Sequence, residues 1–249
     1  MKLRLIIATG NENKVREIRE ILDDPELVVI SMAQAGIHSD PEENGTTFAE
    51  NALIKARAAA RLAFAQAGAK GGPEDTGTSV GDQKRVLNSA PEPEIPTVVL
   101  ADDSGLVVDA MGGMPGIQSA RFLGRDTDYR YKMHYIMDQI ADKEGPERSA
   151  RFTCACAAVY PAGTFRRNPE GARPAAGSDP ALWEFVLTRH MEGQIAHEIL
   201  GENGFGYDPF FYLPEYGKTS AQISEEEKNA VSHRGKAFRA MLEVLSGLR

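Results

Sequence analysis

The stretch Val98-Val99-Leu100-Ala101-Asp102-Asp103-Ser104-Gly105-Leu106-Val107-Val108-Asp109 organises the rest of this 249-residue chain. Two apolar runs stand on either side of a short polar group, which predicts two buried strands joined by a turn at Gly105. Asp102 and Asp103 would then lie side by side where the first strand ends. Adjacent carboxylates in apolar surroundings are costly unless cations compensate them, and a divalent metal is a natural partner. The alternative is an ordinary solvated turn, since Asp, Ser and Gly are common turn residues.

Composition predicts a soluble globular protein, with 42% hydrophobic and 26% charged residues. The length fits one large α/β domain or two small ones. A net charge of −8 argues against general nucleic-acid binding, although a local cationic pocket is enough for an anionic small substrate. No apolar run approaches the roughly 18 residues of a membrane span, so we expect no membrane partner. The run in Met1–Ile7 is too short for a signal-peptide core and predicts a first strand.

The cysteines suggest a reducing compartment. Cys154 and Cys156 are two residues apart on a predicted strand, so their side chains share one face of the sheet. An extended backbone places their Cα atoms near the upper limit for a disulfide, and a bridge would be strained. We therefore expect packed free thiols, which suit the cytoplasm.

Hydrophobic spacing along the chain predicts alternating strands and helices. The predicted strands are Leu3–Ala8, Leu27–Ile30, Arg151–Tyr160 and Leu182–Met191. The predicted helices include one that buries Val15, Ile18, Ile21 and Leu22, one that buries Phe48, Ala52, Ala56 and Ala59, one over Tyr129–Ile140, and a terminal helix that buries Phe238, Met241, Leu242 and Leu245. Two segments rich in Pro and Gly, 68–96 and 161–180, predict surface insertions within one domain, not further domains.

Two stretches in the first quarter of the chain carry candidate site residues. Thr9–Lys14 joins a strand to a helix through a glycine turn, a geometry that aims backbone N–H groups at an anion, although it lacks the Walker A pattern and also fits a plain turn. Glu42 and Glu43 precede the helix that Thr47 and Glu50 would cap with a capping box. Two interpretations are open: both glutamates are solvated, or one of them faces the aspartate pair as a metal ligand. Lys55 on that helix reads by default as a solvated lysine.

Two stretches near the end carry further candidates. In Gly204–Phe211, glycines allow close backbone approach, and Phe205 or Tyr207 would stack on a flat ring, unless the segment is a core-packing turn. Ser224 and Glu227 form a second capping box pattern, and Ser232 would cap the terminal helix. His233 and Arg234 in the first turn of that helix oppose its dipole. They are either exposed and screened by water and salt, or functional.

Six of these pieces, taken in order, resemble the inosine/xanthosine triphosphate pyrophosphatase family. The matching pieces are Thr9–Lys14, Phe48–Ala56, Ala101–Gly105, Gly113–Gly116, Phe205–Asp208 and Glu227–Gly235. They span nearly the whole chain, and the two Pro/Gly-rich segments look like insertions relative to the compact family pattern.

The resemblance implies an α/β fold with a mixed central sheet flanked by helices, in an elongated single domain (1–249) of two lobes with the active site in the cleft between them. It implies Mg²⁺ as cofactor, a homodimer, and hydrolysis of non-standard purine nucleoside triphosphates (ITP, dITP, XTP) to the monophosphate and pyrophosphate. Two alternatives stand beside it. One is a pyrophosphatase of the septum-inhibitor type acting on modified pyrimidine nucleotides. The intact segment Ser232–Gly235 argues against it. The other is a non-catalytic nucleotide-binding protein, which retention of both Asp102 and Asp103 disfavours.

The resemblance also assigns roles by position. The phosphate-holding loop would be Thr9, Gly10, Asn11, Glu12, Asn13 and Lys14, with Lys55 and Lys228 as further cationic contacts. Glu43 and Asp103 would serve the metal, Asp103 would be the general base, and Ser104 would contact the substrate. The base pocket would be Phe205, Gly206, Tyr207, Asp208, His233 and Arg234.

Overall fold

A computed structural model of the chain describes residues 2–69, 95–177 and 181–248. In these residues the helices are α1 Glu12–Ile21, α2 Phe48–Ala69, α3 Tyr129–Gln139, α4 Glu225–Val231 and α5 His233–Ser246. The strands are β1 Leu3–Ile7, β2 Leu27–Ser31, β3 Thr97–Val108, β4 Ser149–Pro161, β5 Arg173–Pro174, β6 Leu182–Ile195, β7 Phe211–Leu213 and β8 Lys218–Thr219.

The strands form one mixed sheet with helices packed on it, which confirms the predicted fold class. Its order is β2-β1-β3-β4-β6-β7-β8, with β5 paired to β6. β1 runs parallel to both β2 and β3, whereas β3, β4, β6 and β7 pair antiparallel in succession. The long strands β3, β4 and β6 therefore extend well beyond the short parallel part of the sheet.

The central stretch forms one continuous strand, so the prediction of two strands joined by a turn is wrong. Pairing with β4 runs unbroken from Val99 opposite Val159 to Val108 opposite Ala150. The polar residues stay in the strand because their backbone groups are bonded to β4 and, as described below, their side chains find charged partners. Gly105 serves another purpose: a Cβ there would lie 2.4 Å from the Gly116 carbonyl oxygen. The glycine thus lets a neighbouring loop lie directly against the strand.

Side chains of β3 alternate between two cores and then enter a third. Val98 and Leu100 pack with α1 and α5, whereas Val99 and Ala101 pack with α2. Past the polar group, Leu106 enters a third cluster built on α3, β7 and the ends of β4 and β6. The pairing of β3 with β1 ends at Leu100. The aspartate pair therefore lies at the junction between the first two clusters and the third.

The helix starts carry the predicted caps. Thr47 Oγ1 accepts from the Glu50 N–H at 3.1 Å, and the Glu50 carboxylate accepts from the Thr47 N–H at 3.2 Å. The capping box of Ser224 with Glu227 is present at α4. Ser232 caps α5 by accepting from the Gly235 N–H at 2.9 Å. These local bonds fix where the helices that carry Lys55, Lys228 and Arg234 begin.

The cysteine prediction is confirmed, since Cys154 and Cys156 are free, buried thiols in the same core cluster. Burial raises the pKa of the Cys154 thiol to about 12. No helix among residues 2–69, 95–177 and 181–248 is long and apolar enough to cross a membrane.

Part of the two predicted insertions can be followed. Of the segment 68–96, residues 70–94 lie outside the described residues, as do 178–180 of the segment 161–180. The described part of the second segment packs on the sheet, where Arg173 donates to the buried carboxylate of Glu184 at 3.0 Å. Arg57 of α2 donates to the same carboxylate at 2.5 and 2.6 Å. Burial by itself would raise the pKa of Glu184, but these arginines outweigh it and hold that pKa below its usual value.

Candidate active site

Asp102 and Asp103 project from opposite faces of β3. Neighbouring side chains on a strand point to opposite sides, so Asp102 shares its face with Leu100 and Asp103 shares its face with Ala101. The Asp102 carboxylate meets α1 and α5, and the Asp103 carboxylate meets α2. The two acids therefore have separate partners.

The Asp102 carboxylate is completely enclosed by donors. It accepts from Lys14 Nζ at 3.0 Å, from Arg234 at 3.4 Å and from Ser104 Oγ at 2.8 Å. Burial by itself would raise the pKa of Asp102, but the cations Lys14, Arg234 and Lys55 outweigh it and hold that pKa far below the usual range. Asp102 is thus a permanent anion that fixes two cations in place.

The Asp103 carboxylate has fewer partners and more contact with water. Lys55 Nζ donates to its Oδ1 at 2.9 Å, and the buried amide of Asn51 donates to its Oδ2 at 3.4 Å. The side chain is 11% exposed, against 0% for Asp102. Burial raises the pKa of Asp103, and Lys55 offsets this only in part. A partly open carboxylate with a raised pKa is the kind of group that general-base chemistry uses.

The turn after β1 presents the positive end of α1 beside Lys14. Asn11 caps the helix, with its Oδ1 accepting from the N–H groups of Asn13 at 3.0 Å and Lys14 at 3.3 Å. Thr9 Oγ1 accepts from the Asn11 N–H at 3.2 Å. A Cβ at Gly10 would meet nothing within 4 Å, so the turn is open on its outer side. An ordered helix start next to a lysine suits an anion.

The aromatic turn divides its two rings between core and surface. Tyr207 is buried, donates its hydroxyl to the Ser119 carbonyl at 3.0 Å, and meets the Tyr129 ring edge-on at 5.0 Å. Phe205 is 43% exposed, with Lys228 Nζ 5.1 Å from its ring centre. Of the two rings predicted to stack on a flat ligand, only Phe205 is placed to do so, whereas Tyr207 has the core-packing role.

Asp208 holds this turn together. Its Oδ2 accepts from the Phe205 N–H at 2.8 Å and from Lys228 Nζ at 2.5 Å, and its Oδ1 accepts from Ser220 Oγ at 2.8 Å. Gly204 is required here, because a Cβ at that position would lie 2.2 Å from Asp208 Oδ2. The carboxylate thus fixes the lysine and the phenylalanine relative to each other.

His233 and Arg234 are buried, so the reading of two exposed side chains at the start of α5 is wrong. Arg234 pairs with Glu17 at 2.5 Å in addition to Asp102, and this compensates its charge at the positive end of the helix. The His233 ring stacks on Phe152 at 4.9 Å. Burial and the neighbouring Arg234 and Lys228 hold the pKa of His233 well below its usual value. The imidazole is therefore neutral near pH 7, and its position opposes no dipole.

Beside these groups a cleft of about 550 Å³ opens between α1 and α4. Asn13, Glu17, Phe205 and Lys228 contribute to its walls. The cleft thus joins the first two turns of α1 to the exposed aromatic ring.

The donor set on the Asp103 side suits a hard divalent cation. The carboxylates of Glu43 and Asp103 converge on one atom, Lys55 Nζ, at 3.5 and 2.9 Å. In the part of the chain that the structure describes, no group of three or more His, Cys, Asp or Glu residues is arranged to hold a metal. Mg²⁺ commonly takes one or two carboxylates and completes its shell with water and substrate phosphates. Two converging carboxylates fit that mode of binding.

Comparison with known proteins identifies the family. The model of the Ham1 family matches residues 5–244. The chain belongs to the Ham1 family. It is 36% identical to the dITP/XTP pyrophosphatase of Photorhabdus laumondii over 242 residues, which covers 97% of this chain and 98% of that protein. It is 34% identical to the dITP/XTP pyrophosphatase of Bacillus anthracis, with 97% and 96% covered.

Solved structures agree with the sequence relatives. A HAM1 protein from Coxiella burnetii superposes with a TM-score of 0.70 at 32% identity, covering 98% of this chain and 99% of that one. The family resemblance predicted from the six motifs is confirmed.

The predicted site residues form three groups in this Ham1 chain. The first is on the Asp102 face and holds Lys14, Ser104 and Arg234. The second is on the Asp103 face and holds Glu43 and Lys55. The third is around the aromatic turn and holds Phe205, Asp208, Lys228 and His233. Gly206 lies in that turn, where a Cβ added to it would meet the Tyr129 ring at 3.5 Å.

Two residues of the site were missed by the sequence reasoning. Glu17 pairs with Arg234, and Asn51 contacts Asp103. Glu17 follows Lys14 by three residues on α1, and Asn51 precedes Lys55 by four on α2, so each shares a helix face with a predicted residue. That helical spacing is the signal that would have found them.

The different settings of the two aspartates predict unequal effects of their substitution on stability. We expect Asp102→Asn to lower the free energy of unfolding by about 3–5 kcal/mol, because it leaves two cations without their shared anion. Asp103→Asn should leave it within about 1 kcal/mol, because burial already disfavours that charge. Urea unfolding of both variants at pH 7 measures this.

The pH dependence provides a check on the same pair. Because the folded-state pKa of Asp102 is lowered, its contribution is complete above the unfolded pKa of roughly 3.9 and declines as the pH falls below that value. The gap between wild type and Asp102→Asn should therefore narrow below pH 4. Equal stability of the two variants at pH 7 would contradict the assignment.

Proposed function

We propose that this Ham1-family chain hydrolyses non-standard purine nucleoside triphosphates (ITP, dITP and XTP) to the monophosphate and pyrophosphate. The observation that carries the proposal is the Asp103 carboxylate, with its raised pKa, next to Lys55 and Glu43. The full-length likeness to proteins named dITP/XTP pyrophosphatase supports this substrate class.

The triphosphate is bound by positive charge on both sides of β3. Lys14 and the start of α1 serve one side, and Lys55 serves the other. Both lysines already bond to carboxylates, so their positions are set before substrate arrives and little side-chain entropy remains to be lost. Thr9 and Asn11 order the turn so that its backbone faces the phosphates.

Mg²⁺ is the cofactor we propose, and Glu43 and Asp103 would hold it. When bound, it neutralises phosphate charge and stabilises the leaving pyrophosphate. Lys55 Nζ lies beside both carboxylates, and the third N–H of its ammonium group is left to donate to a phosphate oxygen.

Asp103 is the general base of the reaction. It takes a proton from the water that attacks the α-phosphorus, and the bond from that phosphorus to the bridging oxygen of pyrophosphate breaks. Asp102 is unsuited to this step because its lone pairs are committed to Lys14, Arg234 and Ser104. Its role is to keep Lys14 and Arg234 in position.

The base is recognised by Phe205, His233 and Arg234. Phe205 stacks on the purine, since aromatic rings bind bases of any sequence through their faces. Arg234 and a His233 N–H donate to the 6-oxo group of hypoxanthine or xanthine. Adenine presents an amino donor there and leaves these donors unpaired, which disfavours it strongly. Glu17 and Asp102 fix the Arg234 guanidinium against rotation, and this strengthens the discrimination against adenine.

We propose that the protein works as a homodimer in the cytoplasm. Four apolar side chains on α3 and on the segment before it support self-association and define the α3 patch: half-buried Phe122 and exposed Leu123, Tyr131 and Tyr135. The Tyr131 side chain is 62% exposed, and Phe122 and Tyr135 form an edge-on ring pair at 5.8 Å. Clustered exposed apolar groups mark interaction surfaces. The free thiols Cys154 and Cys156 suit a reducing compartment.

A substrate panel tests the activity. We expect pyrophosphate release from ITP, dITP and XTP that depends on added Mg²⁺, and far slower release from ATP and GTP. Equal turnover of ATP and ITP would refute the specificity. Preference for modified pyrimidine triphosphates would favour the septum-inhibitor type of enzyme, and no release from any nucleotide would favour a binding protein.

Asp103→Asn tests the general base in that assay. We expect hydrolysis of ITP to be abolished, because the amide accepts no proton, while nucleotide binding measured by calorimetry stays largely intact. Full activity of the variant would show that the base is another group.

Phe205→Ala tests stacking on the base. Losing one aromatic platform costs about 1–3 kcal/mol, so KM for ITP should rise roughly 5- to 100-fold with little change in Tm. Tyr207→Phe is the matched control in the same turn. It removes only the hydroxyl bonded to Ser119 and should leave KM unchanged, while lowering stability.

Tyr131→Glu tests the dimer. Light scattering should give twice the 27.1 kDa chain mass for wild type and a monomer for the variant. Leu62→Glu changes an exposed apolar residue of α2 and should leave the dimer intact. A monomeric wild type would refute the proposal.

A further inference from the structure

Asn51 is a fully buried polar side chain in the middle of the candidate site. It lies on the first turn of α2, four residues before Lys55, so both side chains project from the same face of the helix toward β3. A buried amide is costly unless both of its ends are hydrogen-bonded. Its two partners belong to the two carboxylate-bearing segments of the site.

The donor end of Asn51 meets Asp103. Nδ2 donates to Asp103 Oδ2 at 3.4 Å, while Lys55 Nζ donates to Oδ1 at 2.9 Å. One turn of α2 therefore holds the two oxygens of one carboxylate with different donors. Oδ1 faces a full positive charge, whereas Oδ2 faces a neutral amide, so the two donors together set the orientation of the carboxylate.

The acceptor end of Asn51 meets the loop that carries Glu43. Oδ1 accepts from the Gly45 N–H at 2.9 Å. A Cβ at position 45 would lie 2.6 Å from that same oxygen, so only glycine allows the backbone to come this close. Glu43 stands two residues earlier, and its carboxylate meets Lys55 Nζ at 3.5 Å. The amide of Asn51 thus ties the Glu43 loop to Asp103.

We infer that Asn51 is a positioning residue of the proposed reaction. It fixes the Asp103 carboxylate relative to the Glu43 loop and so holds the proposed general base in one orientation. In the proposed reaction an O–H bond of water breaks, its proton passes to the Asp103 carboxylate, and its oxygen bonds to the α-phosphorus as pyrophosphate leaves. This inference rests on the proposed function, because Asp103 is the general base only in that reaction.

Two substitutions test the two ends of the amide separately. Asn51→Asp keeps an oxygen for the Gly45 N–H but replaces the donor to Asp103 with an acceptor. Gly45→Ala leaves Asn51 in the chain but pushes its side chain away from the loop. The second substitution is in the loop before α2, and this loop can move away from Glu50 Cβ, which the new Cβ would otherwise meet at 2.7 Å. It therefore keeps the test decisive if Asn51→Asp folds poorly. Asn44→Asp, an identical change of charge on an exposed loop residue, is the matched control.

We expect kcat for ITP to fall about 10- to 100-fold in both variants, the range for residues that orient ligating groups. The Kd for α,β-methylene-ITP, which the enzyme cannot cleave, should stay within about 3-fold, since the phosphate and base contacts remain. Tm of Gly45→Ala should stay within about 4 °C, whereas Asn51→Asp, which buries a second carboxylate beside Asp103, should lower Tm further. The control should keep its kcat within 3-fold.

The outcomes separate this inference from the function on which it rests. An active wild type with unchanged kcat in Asn51→Asp and Gly45→Ala overturns the inference and leaves the proposed function standing. A joint loss of kcat, nucleotide affinity and Tm in Gly45→Ala assigns Asn51 a purely structural role and overturns the inference too. A wild type that hydrolyses no nucleoside triphosphate refutes both.

Discussion

The alternation of side chains along a β-strand is the constraint on which the site depends. Asp102 and Asp103 are adjacent, so their carboxylates must leave β3 on opposite faces. Each face is covered by a different helix set, with α1 and α5 on one side and α2 on the other. A single peptide unit thereby supplies one carboxylate to each of two charge networks.

The two networks differ because their partners differ. Around Asp102, two cations and a hydroxyl outweigh the cost of burial, and the carboxylate is held as a fixed anion. Around Asp103, one lysine and one amide do not outweigh the cost of burial, and the pKa of Asp103 is raised. Adjacent groups of the same type whose surroundings push their pKa values apart are suited to different tasks. Asp102 organises Lys14 and Arg234, while Asp103 remains free to exchange a proton.

The buried charges of this site also explain why its members come from distant parts of the chain. Arg234 is compensated by Glu17 and Asp102, and Lys228 by Asp208. A charge removed from water needs a close partner, and the elements that carry these partners must pack together to provide it. The same packing orders the aromatic turn, because Asp208 bonds both Lys228 and the Phe205 backbone. Binding surface and core are therefore built by the same contacts.

The sequence by itself determined the local elements and the family. Periodicity placed the helices and most strands within a few residues of their ends, because that signal is local. Short-range caps such as Ser224 with Glu227 were readable for the same reason. Six motifs in order identified the Ham1 relationship.

Only the tertiary structure decided how the motifs meet. The polar residues in the middle of β3 predicted a turn, because nothing in the local sequence reveals that β4 pairs with β3 there without interruption. Burial of His233 and Arg234 depended on Phe152 and Glu17, which are far away in sequence. Tyr207 packs in the core and leaves Phe205 as the exposed ring because of contacts between distant segments. The position of Asn51 beside Asp103 depends on such a contact too. The sequence shows Asp102 and Asp103 as an adjacent pair. The different surroundings of the two carboxylates follow from which helices cover each face of the sheet.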